Sequence, residues 1–117
     1  MKLNLKKLAV MASLSLFMTG CTDSPQDVGE SFMRAVASGK IEEAKLYCTE
    51  TTAKSLDFAS QMGALKIDPD YDVVCLRDSI VGNTAYVYYL EKGCSKEGRL
   101  TLYKIDGEWK VNMEGKK

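Results

Sequence analysis

Two dipeptides, Gly82-Asn83 and Asp106-Gly107, each stand between runs in which apolar and polar residues alternate. Of all the features in this chain, that pattern most restricts the fold. Alternation with period two puts successive side chains on opposite faces of a strand, and Gly, Asn and Asp tolerate the positive φ of a tight hairpin turn. With Gly82-Asn83 as the first turn, Val81 faces Thr84, Asp78 faces Val87 and Cys75 faces Leu90. The second turn pairs Lys104 with Trp109, Leu102 with Val111 and Leu100 with Met113. One face then carries Leu100, Leu102, Trp109, Val111 and Met113, and the other Arg99, Thr101, Glu108, Lys110 and Asn112. A sheet so divided is antiparallel and half-buried, so something must cover its apolar side. Residues 92–97 join the two hairpins into a curved meander of four strands.

The cover comes from the preceding residues. Ser24-Pro25-Gln26-Asp27 reads as a helix start, with Ser24 as N-cap, Pro25 as first helical residue and Asp27 as the acidic partner. Val28, Phe32, Ala35 and Val36 follow on one helical face, and Gly39 ends the helix. A second helix over 41–47 buries Ile41, Ala44 and Tyr47. A third, capped by Thr49 or Thr51, offers Leu56, Phe58, Ala59 and Met62 to the core and stops at Gly63. The fold class expected is α+β: three N-terminal helices packed on a curved four-stranded antiparallel meander sheet.

The first twenty residues are of another kind. Lys2, Lys6 and Lys7 precede an apolar run over 8–18, which ends in Met18-Thr19-Gly20-Cys21. Eleven residues fit the apolar region of a signal peptide and fall short of the ~20 that a helix needs to cross a bilayer. Thr19-Gly20-Cys21 resembles the bacterial lipobox, with Met18 where that motif prefers Leu. The resemblance implies diacylglyceryl attachment to the Cys21 sulfur, cleavage before Cys21, and anchoring of the mature chain to a membrane. Thr22 stands where the inner-membrane retention signal of enteric bacteria has Asp. A cell-envelope location, on the outer membrane facing the periplasm in a two-membrane host, is therefore expected. The organisation is a cleaved peptide over 1–20, a lipidated Cys and tether over 21–24, one domain over 25–114 and a tail over 115–117.

Composition excludes several chemistries. The chain has no histidine, which rules out histidine triads and imidazole bases. Charges of both signs are interspersed with no basic stripe, so no nucleic-acid partner is expected. Asp68, Asp70 and Asp72 alternate but lack the Gly and Glu of a calcium loop and read as solvated. Neither metal nor cofactor is expected. Beyond Cys21 there are Cys48, Cys75 and Cys94, without a CxxC pair. Turn geometry favours a Cys75–Cys94 disulfide, while Cys48–Cys75 and Cys48–Cys94 remain open.

"SPQDVGESFMRAVASGKIEEAKLY" resembles the opening of nuclear-transport-factor-two-like domains, in which a long helix ends in Gly and a short helix follows. "GNTAYVYYL" and "RLTLYKIDGEWKVNM" resemble that fold's later strands. The lumazine-binding-like group of bacterial lipoproteins is similar. The resemblance implies a cone-shaped domain and allows isomerases, hydrolases and non-catalytic binders alike. Asp78, on the same face as Val74, Leu76, Ile80, Ala85, Val87 and Tyr89, is the candidate acid or base, with Tyr47 or Tyr89 as donor to an oxyanion. Tyr86, Tyr88, Tyr89 and Tyr103 read as cross-strand packing, and Met33, Met62 and Met113 as core. The function expected is a lipid-anchored envelope protein whose non-catalytic domain binds a small molecule or an envelope protein. The alternatives are a small isomerase or hydrolase using Asp78, or a structural or immunity-type envelope protein. A cone filled by Phe32, Met62 and Trp109 would favour binding through the outer surface.

Overall fold

The computed structural model describes residues 23–113. Residues 1–22, Cys21 among them, and 114–117 lie outside the described residues. Three helical segments come first: α1 (Pro25–Ala37), α2 (Ile41–Ala44), which tightens into a 3-10 turn over Lys45–Tyr47, and α3 (Glu50–Gln61). The Ser24 hydroxyl accepts a hydrogen bond from Asp27 N–H at 3.1 Å, and Pro25 fills the first turn, as the sequence indicates. Gly39, at φ +77°, turns the chain out of α1. Thr49 is the residue that caps α3, accepting from Thr52 N–H at 3.3 Å. Among the described residues no helix is long and apolar enough to cross a membrane.

The strands β1 (Val73–Val81), β2 (Thr84–Glu91), β3 (Gly98–Ile105) and β4 (Glu108–Asn112) form an antiparallel meander in chain order. The fold class is therefore α+β, with three helices on a four-stranded sheet. Both turns fall on the expected dipeptides, so Val81 pairs with Thr84, Asp78 with Val87, Lys104 with Trp109 and Leu102 with Val111.

One expectation fails in β1. The register shifts between Cys75 and Arg77, so Cys75 lies opposite Tyr89, and Val74 opposite Leu90. Leu76 is the extra residue of a bulge, and an extra residue reverses which face the strand's start presents. Val73 and Cys75 thus join Asp78 and Ile80 on the inner face, whereas Val74 faces outward. Val74 and Leu76 are not neighbours of Asp78 on its face.

The inner face meets the helices in one core. Phe32, Met33 and Val28 of α1 lie against Val87, Leu100, Leu102, Trp109 and Val111. Gly29 allows the close approach, since a Cβ there would lie 3.2 Å from Leu100 Cδ1. The helical layer is sewn to the outer edge of β4: Cys48 forms a parallel bridge with Val111, Thr49 N–H donates to Val111 O at 2.9 Å, and the Thr49 hydroxyl donates to Asn112 Oδ1 at 2.8 Å. Only the first half of α3 reaches this seam, burying Thr52 and Leu56. Phe58 and Met62, expected in the core, are 65% and 67% exposed; they lie roughly 200° and 240° around α3 from buried Leu56, on the side turned away from the core. Met113 lies beyond β4, mostly exposed, with its N–H donating to the Thr52 hydroxyl at 2.9 Å.

Candidate functional site

Asp78 faces inward but lies in the second half of β1, half-exposed, where the next inward residue, Ile80, is itself exposed. Tyr89 lies on the same face, one pair further along β2, opposite Cys75 and Gly98. Tyr47 belongs to the 3-10 turn beside β4, at the far edge of the sheet from β1. Neighbouring strands lie about 4.8 Å apart, so β1 and β4 are separated by roughly 14 Å. Tyr47 therefore does not converge with Asp78, and the interior between them is occupied by Phe32, Val87, Leu102 and Trp109.

The Tyr89 ring covers the Cα of Gly98, where any Cβ would run into it. Gly98→Ala is expected to displace that ring and destabilise the domain by about 1–2 kcal/mol. Adding Tyr89→Ala should recover part of the loss, and a double-mutant cycle in urea unfolding checks it. Purely additive effects would show that the two do not touch.

The denser polar arrangement lies where α1 crosses the start of β1. Arg34 Nε donates to Glu30 at 2.8 Å, and its Nη2 donates to Asp72 at 2.8 Å and to Val73 O at 3.1 Å. The Arg34 guanidinium, helped by Val73 N–H, holds the Asp72 carboxyl below its usual range. Tyr71 donates its phenol proton to Glu91 Oε2 at 2.9 Å. Burial, then the bond to Glu91, pushes the Tyr71 phenol above its ordinary value, and burial does the same for Tyr89. Both phenols are neutral at physiological pH and unsuited to act as bases. A raised folded value stabilises the fold below the unfolded phenol's value near 10, and that stabilisation is lost as the pH climbs above it. Stability should therefore hold to about pH 10 and then fall, with a shallower fall in Tyr71→Phe, as urea unfolding on either side of pH 10 will show. An unchanged slope would separate Tyr71 from this effect.

The three thiols of the described region are free. Cys75 points inward, its Sγ 3.7 Å from Gln26 O of α1, because the bulge brings it to the inner face. Cys94 is exposed in the turn after β2. The expected Cys75–Cys94 bond is thus not formed: the ladder that was to bring Cys94 back assumed an unbulged β1. Burial pushes the Cys48 and Cys75 thiols up, which suppresses the reactive thiolate. A thiol reagent should modify native Cys94 at least about tenfold faster than Cys48. Peptide mapping gives the order, and equal rates would contradict the burial. Beside Cys94 an open groove of about 290 Å³ runs along Val74 and Leu90, rimmed by Asp72, Glu91 and Lys92.

The outer face is the other feature that stands out. Tyr86, Tyr88 and Tyr103 share it, while Tyr89 does not. Arg77 lies over the Tyr88 ring at 4.4 Å from its centre and Arg99 over Tyr86 at 5.0 Å. Arg77 also makes a two-pronged ion pair with Glu97, at 3.2 and 3.0 Å. Sequence reasoning found the tyrosines by alternation. It missed the arginine stacks and the Arg34 and Tyr71 contacts, which join residues with no motif between them. Among the described residues no three of His, Cys, Asp and Glu gather as a metal site.

No family model matches the chain, and no curated protein does. Among solved structures, a Campylobacter jejuni protein provisionally described as an NTF2-like transpeptidase is similar, with a TM-score of 0.57 at 14% identity. The match covers 79% of this chain and all of that one. The likeness shows that this chain has the NTF2-like fold.

Proposed function

We propose that this chain is an envelope lipoprotein, anchored through lipid on Cys21, whose NTF2-like domain works by binding a partner at its outer surface. The observation that carries this reading is the packed core between helices and sheet. Phe32 and Trp109, 2% and 7% exposed, belong to that core, which supports binding at the outer surface. Of the filling residues expected, Met62 is absent from it, and Val87, Leu100 and Leu102 complete it instead.

The chemistry agrees. The described phenols and thiols with shifted affinities for protons are all held neutral, and no histidine is present to activate them. At 14% identity, the Campylobacter protein's description carries no activity to this chain. The proposed organisation is a removed peptide over 1–20, a short tether over 21–24 and the binding domain over 25–114. The proposed partner is a small molecule or an envelope protein, and the proposed location is the outer membrane, facing the periplasm, in a two-membrane host.

The test is complementation. Asp78→Asn, expected to change stability by less than about 0.5 kcal/mol at its half-exposed position, should restore fully whatever defect deletion of the chain produces. Failure to restore, at normal abundance, would make Asp78 catalytic and replace this reading with the isomerase or hydrolase one.

A further inference from the structure

We infer that the outer face of the sheet lies flat against an anionic lipid surface, with the stacked pairs Arg77–Tyr88 and Arg99–Tyr86 as its contacts. The inference rests on the lipid-anchor reading. Three observations lead to it.

The first is where the tether enters. α1 begins at Pro25, and its first turn passes 3.7 Å from the Cys75 sulfur on β1. β1 is the edge strand opposite the seam with the helices. Three residues from Cys21 to Ser24 reach at most roughly 10 Å. That contact lies on the inner face of β1, so a lipid on Cys21 would hold the β1 edge near the bilayer without choosing a face; charge and composition choose the outer one.

The second is charge. Residues 23–72, which build the helical layer, carry ten acidic and five basic side chains, whereas residues 73–113 carry five acidic and six basic. An anionic plane repels the helical layer and tolerates the sheet. Arg99 has no ion-pair partner among the described residues. Among those residues nothing competes with a phosphate for its guanidinium, and the Tyr86 ring beneath fixes its plane; Arg77 shares its charge with Glu97, so Arg99 is the principal phosphate contact.

The third is composition. Tyr86, Tyr88 and Tyr103 are amphipathic rings of the type that settles at the headgroup level. Val74, Leu76 and Val81 of the adjacent edge strand are largely exposed. Each Arg near an anionic surface adds a modest attraction, and the tether multiplies its effect by keeping the face close.

The test uses the acylated chain reconstituted in vesicles of phosphatidylcholine alone, or of phosphatidylcholine mixed with phosphatidylglycerol. A tyrosine-directed labelling reagent reads the face. Labelling of Tyr86, Tyr88 and Tyr103 should slow at least about fivefold on the anionic vesicles, with Tyr47 and Tyr71 unchanged. High salt, or the doubly substituted Arg77→Gln, Arg99→Gln chain, should remove the protection. Both arginines are exposed, and circular dichroism confirms that the variant folds. Equal labelling on the two vesicles overturns the inference, because the face is then free. Protection that persists in detergent and disappears on dilution also overturns it, since a second copy then covers the face. A chain that carries no acyl group and does not float with vesicles refutes the anchor reading itself, a result distinct from the other two.

Discussion

Phe32→Ala is expected to remove about 3–5 kcal/mol of folding stability, enough to unfold much of the population of a domain this size. Phe32 stands in the middle of α1 and is 2% exposed, in a core shared with β2, β3 and β4. Alanine is a better helix former than phenylalanine, so the loss comes from lost burial and from the cavity, not from the helix. Phe58→Ala removes the same atoms from α3, where the ring is 65% exposed. It should cost less than about 0.5 kcal/mol. Urea midpoints for the two variants give the contrast. Similar losses would mean that the Phe58 side of α3 is packed, contrary to the placement described above. Phe32→Leu, which keeps most of the volume, should fall between them and guards against a variant that cannot be purified.

Cys21→Ser is expected to abolish lipid attachment entirely, the largest effect in the envelope. Under the anchor proposed above, the Cys21 sulfur would carry the thioether, and serine cannot replace it in the lipobox chemistry that Thr19-Gly20-Cys21 resembles. Each methylene buried in a bilayer contributes about 0.8 kcal/mol, so losing two or three acyl chains shifts the membrane partition by many powers of ten. Metabolic labelling with a palmitate analogue, followed by fractionation, reads both attachment and location. Wild type should be labelled and pelleted with membranes, and the variant unlabelled and either soluble or retained as precursor. Equal labelling of the two would remove the anchor from this chain.

The hairpins were legible because turn chemistry is local: Asp106 adopts φ 53° and Gly107 φ 83°, the conformation that their residue types permit. The α1 cap was legible for the same reason. The bulge at Leu76 was not. A run such as Val-Val-Cys-Leu-Arg-Asp contains no glycine to mark an inserted residue, and its alternation is broken equally well by a bulge or by an exposed leucine. That one residue moved Cys75 to the inner face and removed Val74 and Leu76 from the surroundings of Asp78. The exposure of Phe58 and Met62 was hidden for another reason. Apolar residues stand on two sides of α3: Leu56 and Ala59 share one with Thr52, Phe58 lies about 200° round from Leu56, and periodicity alone does not say which side the sheet takes. As for the candidate site, alternation correctly placed Asp78 and Tyr89 on one face, but whether a cone is filled depends on how side chains from five elements fit together. No pattern within one element encodes that.

The bridge between Cys48 and Val111 has a consequence for the order in which this chain acquires structure. Thr49 and Asn112, which bond across the same seam, are 63 positions apart. Contacts of such span form slowly, because the intervening chain must first give up its freedom. The hairpins close locally through Gly82-Asn83 and Asp106-Gly107, and α1 finds its surface on β1, β2 and β3, but the seam that holds α2 and α3 exists only after β4 has joined β3. A ribosome delivers β4 after the other strands, so α2 and α3 should stay loose and sensitive to protease until synthesis has passed Asn112. Under the envelope location proposed above, the chain would cross a membrane before folding, and such a delay would keep the travelling chain pliable.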